Sequence, residues 1–299
     1  MKTDPVVVIG NFDGVHRGHA ELLRIAKAAE PGAPLVAVTF WPHPMSVVRP
    51  DQVPLLLTSL ERRKELLRAA GVDDVVVVHF TAEVASWSPA QFVDAVIRPL
   101  HPARVVVGEN FRFGFRAAGD VSTLAELGAG EFKVQGVPLL TDGTQPSSST
   151  LIRHAVAGGD FGRVRELSDN VFRFSGVVVR GDRRGHELGF PTANVPVPPG
   201  LAVPADGVYA GWVTRLDGDL PRWPAAISVG TNPTFDGVDR RVESYVLDRT
   251  DLELYDDLVE VAFVERLRGM VKFDSVETLV EQMAADVDQA REMLVSPPS

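Results

Sequence analysis

Short aliphatic runs recur through the first half of the chain, within the strand candidates Pro5–Gly10, Leu35–Phe40, Val75–His79 and Arg104–Gly108. Between them apolar residues fall at helical spacing, as at Leu22, Leu23, Ile25 and Ala26. Runs this short read as strands. Their alternation with helical segments predicts a mostly parallel sheet with helices on its faces, whose ligands bind beyond the carboxyl ends of the strands. Helix starts are marked by Thr58 with Glu61 and by Ser88 with Gln91, both matching the capping box, and Pro89 suits a first helical position.

The pattern changes near Ser168–Asn170. From Phe172 onward, segments of strand character at Phe174–Val179, Gly207–Thr214, Ala225–Val229, Arg241–Leu247 and Leu258–Phe263 follow one another without helices between them. That predicts an antiparallel barrel or sandwich. A closing helix is expected from Asp274, with Glu277 three residues on to complete its cap. The expected division is a domain over residues 1–169 and another over 170–299, and 299 residues suffice for two cores.

Composition narrows the chemistry. The absence of cysteine excludes disulfides, cysteine-held metal centres and a thiol nucleophile, so any metal is held by oxygen or imidazole. The net charge is −10, divided as −2 over residues 1–170 and −8 over the remainder. Neither part has the basic excess of a nucleic-acid binder. The opening residues lack a secretory pattern, and runs such as Val75–Val78 fall far short of the ~20 apolar residues of a membrane span. The expectation is a soluble cytoplasmic protein with neither nucleic-acid nor membrane partners, a monomer or weak homo-oligomer. None of the five lysines follows a glycine, so no Walker A loop is possible and nucleotide phosphates need another device.

One such device is GNFDGVHRGH (Gly10–His19), placed where the first strand turns into the first helix. Gly10 and Gly14 relieve crowding against a ligand, and the helix start offers N–H groups to an anion. His16 and His19 are spaced to share one face, where two imidazoles can donate to phosphate oxygens. Taken alone, they also read as surface or N-cap histidines. A second device is SSSTLIR (Ser147–Arg153), where hydroxyls at a helix entrance and Arg153 can converge on a diphosphate; by itself it also reads as an ordinary cap.

Together these elements resemble the nucleotidylyltransferase superfamily, which carries HxGH and often a later SSTxIR. With TFWPHP (Thr39–Pro44), LTSLERRKELL and GENFRFG (Gly108–Gly114) in order between them, the half is similar to the FMN adenylyltransferase half of bacterial bifunctional riboflavin kinase/FAD synthetases. The resemblance implies a Rossmann-like nucleotidylyltransferase domain. It implies catalysis by His16 and His19, and ATP binding by Gly10, Asn11, Phe12, Asp13, Gly14, His16, His19, Ser148, Ser149, Thr150 and Arg153. It implies nucleotide or flavin contacts by His43 and Asn110. For His43 between two prolines, loop packing is an equal reading, and Phe111 and Phe113 alternate as core residues would. Asp13 is open to organising the site or to a second Mg²⁺.

In the second half, GDRRGHELGFPTAN (Gly181–Asn194) is a glycine-rich arch ending in Thr192 and Asn194, which face one side if the segment is extended. Two neutral oxygens suit Mg²⁺, which completes its shell with phosphates and water; a glycine-rich hairpin is the structural alternative. GVYAGWV, SVGTNPTF (Ser228–Phe235) and VESYVLD (Val242–Asp248) follow as in the riboflavin kinase half of the same family. The resemblance implies a β-barrel with a terminal helix. Gly181, Gly185, Gly189, Thr192 and Asn194 would bind ATP, Thr192 and Asn194 would hold Mg²⁺, and Glu243 would be the catalytic base. Out of that context Glu243 reads as a strand residue pairing with Arg240 or Arg241. Trp41, Asn110, Asp256 and Val271 depart from an acidic residue, Asp, Gly and Glu frequent in the family.

The function implied is phosphorylation of riboflavin to FMN and adenylylation of FMN to FAD, with ATP as co-substrate. The alternatives are a single-activity FMN adenylyltransferase whose degenerate kinase half is a flavin-binding regulatory module, and a flavin-binding regulator without turnover.

Overall fold

All four aliphatic runs of the first half are strands of one parallel sheet: β1 (Val6–Ile9), β2 (Leu35–Trp41), β3 (Asp74–His79) and β4 (Arg104–Gly108). A fifth, β5 (Lys133–Val137), lies at the edge, where Lys133 and Gln135 need no burial and so leave no apolar run. The order is β3-β2-β1-β4-β5, with every neighbouring pair parallel. This computed structural model describes residues 3–142, 145–180, 189–217, 222–234, 237–249 and 251–295.

Strand alternation sends Val7, Ile9, Val36, Val38, Val105 and Val107 to one face of the sheet, and Val6, Val8, Leu35, Ala37 and Val106 to the other. Among the crossover helices α1 (Arg17–Ala29), α2 (Met45–Val48), α3 (Leu60–Ala69), α4 (Ala82–Ser86), α5 (Pro89–Phe92) and α6 (Val121–Leu127), α1 and α3 cover the second face through Leu22, Leu23, Ala26, Leu66 and Leu67. Phe92 of α5, Val93, Val96 and Ile97 of the π turn that extends it, and Leu124 of α6 cover the first. Helices on both faces place ligands at the carboxyl ends of β1 and β4, beside which the strand order reverses.

Ser88 and Gln91 form the expected capping box, with both hydrogen bonds made. The other box is displaced. Ser59, not Thr58, caps α3 by accepting from Arg62 N, because the Thr58 hydroxyl donates to Asp13 instead.

A hairpin of β6 (Thr141–Asp142) and β7 (Gln145–Pro146) leads to α7 (Ser149–Gly158) and α8 (Phe161–Ser168). The chain divides into two compact units, Met1–Leu151 and Ile152–Ser299, and the shift to strand patterning near residue 170 coincides with the start of the barrel. In the second unit β8 (Arg173–Val177), β9 (Thr192–Pro196), β10 (Gly207–Arg215), β11 (Arg222–Thr234), β12 (Gly237–Val246) and β13 (Leu258–Gly269) pair antiparallel in the order β8-β13-β10-β11-β12-β9. Beyond β8, Val179 N donates to Asn194 O at 2.9 Å, which brings the two edges of the sheet together as a barrel requires.

Phe161, Phe172, Phe174 and Tyr209 gather around Phe263, with ring centroids 5.4–6.2 Å from it. The closing helix α9 (Val276–Val295) lays Val287 and Ala290 against Ala210, Ala226 and Leu247. Its expected cap is also displaced by one residue, since Ser275 Oγ, not Asp274, accepts from Thr278 N at 3.3 Å.

Asp256 occupies the left-handed region at φ 67°, which explains why glycine suits that position. Asp256→Gly is expected to stabilise the second unit by about 0.5–1 kcal/mol. The check is the denaturation midpoint of the barrel, and a lowered midpoint would mean that the aspartate side chain contributes more than its backbone costs.

Candidate functional site

The turn from β1 into α1 is tightly wound. Phe12, Gly14 and Val15 have φ of 51°, 82° and 39°, and a Cβ at Gly14 would lie 2.8 Å from Leu57 Cδ1. Conformation and space therefore both demand glycine at 14. Left-handed backbone at a buried phenylalanine and a β-branched valine is strained and must be held from outside.

Asp13 does the holding. Its buried carboxylate accepts from Leu57 N at 3.0 Å, Thr58 N at 3.1 Å and Thr58 Oγ1 at 3.0 Å, and faces Arg63 Nη2 at 3.6 Å. Its carbonyl accepts from Ser149 Oγ at 2.7 Å, tying the start of α7 to the same turn. Of the two roles open to Asp13, this arrangement supports the organising one.

Arg63 is the residue that sequence reasoning missed. It is wholly buried, donates to Thr39 Oγ1 at 3.4 Å and Phe40 O at 3.3 Å, and its guanidinium carbon lies 5.5 Å from the Trp41 ring centre. Trp41, one of the departures from the family pattern, thus offers this cation an aromatic face. A signal was available, because Arg63 precedes Leu66 and Leu67 by three and four residues and so shares their buried face of α3.

His16 is the N-cap of α1, its Nδ1 accepting from His19 N at 3.3 Å. That nitrogen therefore acts as an acceptor, which leaves Nε2–H as the ring's donor. The expected shared face is realised as a stack: the His16 and His19 rings lie 3.6 Å apart at 22°, and Phe12 packs edge-on against His19 at 5.1 Å. The His19 imidazole is held well below its usual titration range by burial first, then by His16 and by Arg63. It is neutral at physiological pH.

These residues open onto a cavity of 1290 Å³ at the carboxyl ends of β1, β2 and β4. Gly10, Asn11, Phe12, His16, His19, Asn110, Ser148, Ser149 and Thr150 line it, whereas Asp13 and Gly14 support the turn from behind. Ser148 Oγ accepts from Leu151 N at 3.4 Å, so the hydroxyl run does cap α7. Arg153 follows one turn later on that helix, in the part assigned to the second unit. His43 is buried, with its Nδ1 accepting from Met45 N at 3.2 Å, and the neighbouring cavity wall is made by Pro44 and Met45. Phe111 and Phe113 stack at 5.4 Å in the loop after β4; both pack on the core and both reach the cavity.

In the second unit Thr192 and Asn194 lie two residues apart on β9, and Asn194 Nδ2 lies 3.5 Å from Thr192 Oγ1. The side chains share one face as the extended reading required, but the Asn194 amide turns its nitrogen, not the expected oxygen, toward Thr192. Register places Glu243 directly opposite Asn194, and Ser228 of β11 opposite Glu243, so the three form a row across adjacent strands on one face. Tyr245, opposite Thr192, belongs to that face and packs on the cluster under α9. Arg240, one of the two partners considered for Glu243, engages Asp206. Gly189 has φ 86°, which only glycine adopts readily; Gly181 and Gly185 lie outside the described residues. Among the described residues no three acidic or histidine side chains cluster as a metal site, and none of the helices is long and apolar enough to cross a membrane.

Residues 1–151 match the family model for FAD synthetase and residues 168–294 that for riboflavin kinase. The chain is 34% identical over 291 residues to the bifunctional riboflavin kinase/FMN adenylyltransferase of Escherichia coli K12, covering 96% of this chain and 92% of that protein. To the enzyme of the same name from Listeria monocytogenes it is 35% identical over 290 residues, covering 96% and 91%. A crystal structure from Streptococcus pneumoniae, of a protein named macrolide-efflux protein, superposes with a TM-score of 0.87 at 33% identity, covering 97% of this chain and 95% of that one. The activity in that name belongs to that protein; the likeness shows that both units share its architecture.

Proposed function

We propose, for a chain that belongs to the family of bifunctional riboflavin kinase/FMN adenylyltransferases, how its own residues divide the two reactions. The chain is a nucleotidyltransferase and a kinase, using ATP in both capacities.

In adenylylation a phosphate oxygen of FMN attacks the α-phosphorus of ATP and pyrophosphate leaves. The nucleophile is already anionic, so positioning and charge stabilisation carry the step without a strong base. His16 and the neutral His19 serve as N–H donors to the α-phosphate. The starts of α1 and α7 offer backbone N–H groups to the phosphates. Ser149 has committed its hydroxyl proton to Asp13 O and serves through its N–H, while Ser148, Thr150 and Arg153 hold the departing pyrophosphate. The observation that carries this reading is the stacked histidine pair on a cavity shared with the N-terminus of α7.

In the kinase reaction Glu243 accepts the proton of the ribityl hydroxyl as its oxygen takes the γ-phosphoryl group and ADP leaves. Thr192 Oγ1 and the Asn194 amide oxygen would hold Mg²⁺, because both donors are hard and neutral, sit on one face of β9 and leave the charge to the phosphates, once the amide turns its oxygen in place of the nitrogen that now faces Thr192. Mg²⁺ bound there would offset phosphate charge during transfer. The proposal places the enzyme in the cytoplasm as a monomer or weak homo-oligomer, dealing with riboflavin, FMN, FAD and ATP and not with nucleic acid or membranes.

The test is a time course with riboflavin and MgATP. FMN should rise first and FAD follow, and supplied FMN should give FAD with pyrophosphate. FAD from FMN, with no FMN from riboflavin, would reduce the barrel to a flavin-binding module.

A further inference from the structure

The cavity of the first unit has a charge character opposite to that of the chain. The protein carries net charge −10. Yet among the described residues no aspartate or glutamate lines the cavity, whereas Arg49, Arg112 and Arg116 do. Arg49 follows α2; Arg112 and Arg116 lie on the loop after β4, and all three are exposed. Arg112 donates to its neighbour Phe111 O at 2.9 Å and Arg116 lies 5.1 Å from the Phe115 ring centre, contacts that leave both charges open to an anion. Asp120 feels the charge of Arg112, but its carboxylate is occupied at the cap of α6 by Thr123 and Ser122 and does not line the cavity. Arg116 and Ala117 are held left-handed at φ 54° and 59°, strain that a loop shaped only for packing would shed. The same wall carries Phe111, Phe113 and Phe115.

An aromatic wall with an arginine rim suits a flat ring bearing an anionic tail. The two flavins that the enzyme handles share the ring and differ by a phosphate dianion. A site that must take the phosphorylated one can discriminate by charge before the ring is seated. We propose that Arg49, Arg112 and Arg116 form an anion-selecting rim that draws FMN into the adenylylation cavity in preference to riboflavin. The proposal rests on the adenylylation reading above and assigns the rim to the flavin, not to ATP.

The test uses the full chain with Arg49→Gln, Arg112→Gln and Arg116→Gln, singly and combined, in FMN adenylylation across a range of ionic strength. The combined variant should lose about tenfold in kcat/KM for FMN at low salt. The loss should fall in KM rather than kcat, and the salt dependence should flatten. Competitive inhibition by riboflavin and the kinase reaction should be unchanged. The proposal is overturned if kcat/KM for FMN and its salt slope match the wild type. It is equally overturned if riboflavin inhibition weakens in parallel, which would make the arginines packing contacts, or if the loss appears in KM for ATP. Failure of the underlying reading is distinguishable, since the wild type would then make no FAD from FMN at any salt concentration.

Discussion

Glu243→Gln lowers FMN formation by roughly 10²–10⁴-fold and leaves FMN adenylylation within about a factor of two, while His19→Ala does the reverse. The first half of that expectation follows from shape. Glutamine keeps the volume and a carbonyl oxygen opposite Asn194, so the β9–β12 register survives, but it cannot take the proton of the ribityl alcohol. The second half follows from charge development. When the FMN phosphate attacks, negative charge grows on oxygens around the α-phosphorus, and losing one aligned donor costs roughly 10²–10³ in kcat. His19 is a strong choice because its neutral imidazole sits in the cavity wall, stacked on His16. Each variant carries its own control in the other activity of the same chain. Parallel loss of both activities in variants with wild-type circular dichroism would sink the assignment of the two steps to separate sites.

What the sequence disclosed and what it hid have physical reasons. Central parallel strands are buried on both faces, so β1, β2 and β4 are built around aliphatic runs and legible at once. Of the two edge strands β3 keeps the run Val75–Val78 and was legible, whereas β5, interrupted by Lys133, Gln135 and Gly136, carries no such signature. In the barrel β11 runs from Arg222 to Thr234, well past the expected Ala225–Val229, because neighbouring strands satisfy the backbone whatever the side chains are. Both displaced caps arose where two candidate residues stood side by side. For Thr58 and Ser59 the choice fell to Asp13, 45 residues away from Thr58, which local pattern cannot foresee. His16 and His19 were legible because three-residue spacing at a strand-to-helix turn fixes their shared face. Arg63 was not, because Arg62, Lys64 and Glu65 around it read as solvent-facing charge.

That hidden arginine has the second large consequence. Arg63→Met is expected to destabilise the first unit by about 3–5 kcal/mol, because it leaves the Asp13 carboxylate buried beside hydrogen-bond donors but without its cation. Against a typical stability of about 5–15 kcal/mol, such a loss releases the strained Phe12–Val15 turn before it unfolds the sheet. FAD formation should therefore fall at least tenfold while FMN formation persists. Adding Asp13→Asn removes the orphaned charge and should restore part of the stability, a coupling that a double-mutant cycle reads directly.

His19 supplies a second readout. Its native titration point is depressed, so below the unfolded value of about 6.5 the unfolded chain binds a proton that the native state refuses, and stability falls as pH drops through that value. Without the Arg63 charge the His19 titration followed by NMR should move upward while remaining depressed, since burial and His16 still act, and the acid-side loss of stability should shrink. An unmoved His19 titration in the folded Arg63→Met protein, together with a double variant no more stable than the single, would reduce Arg63 to a space-filling side chain beneath the loop.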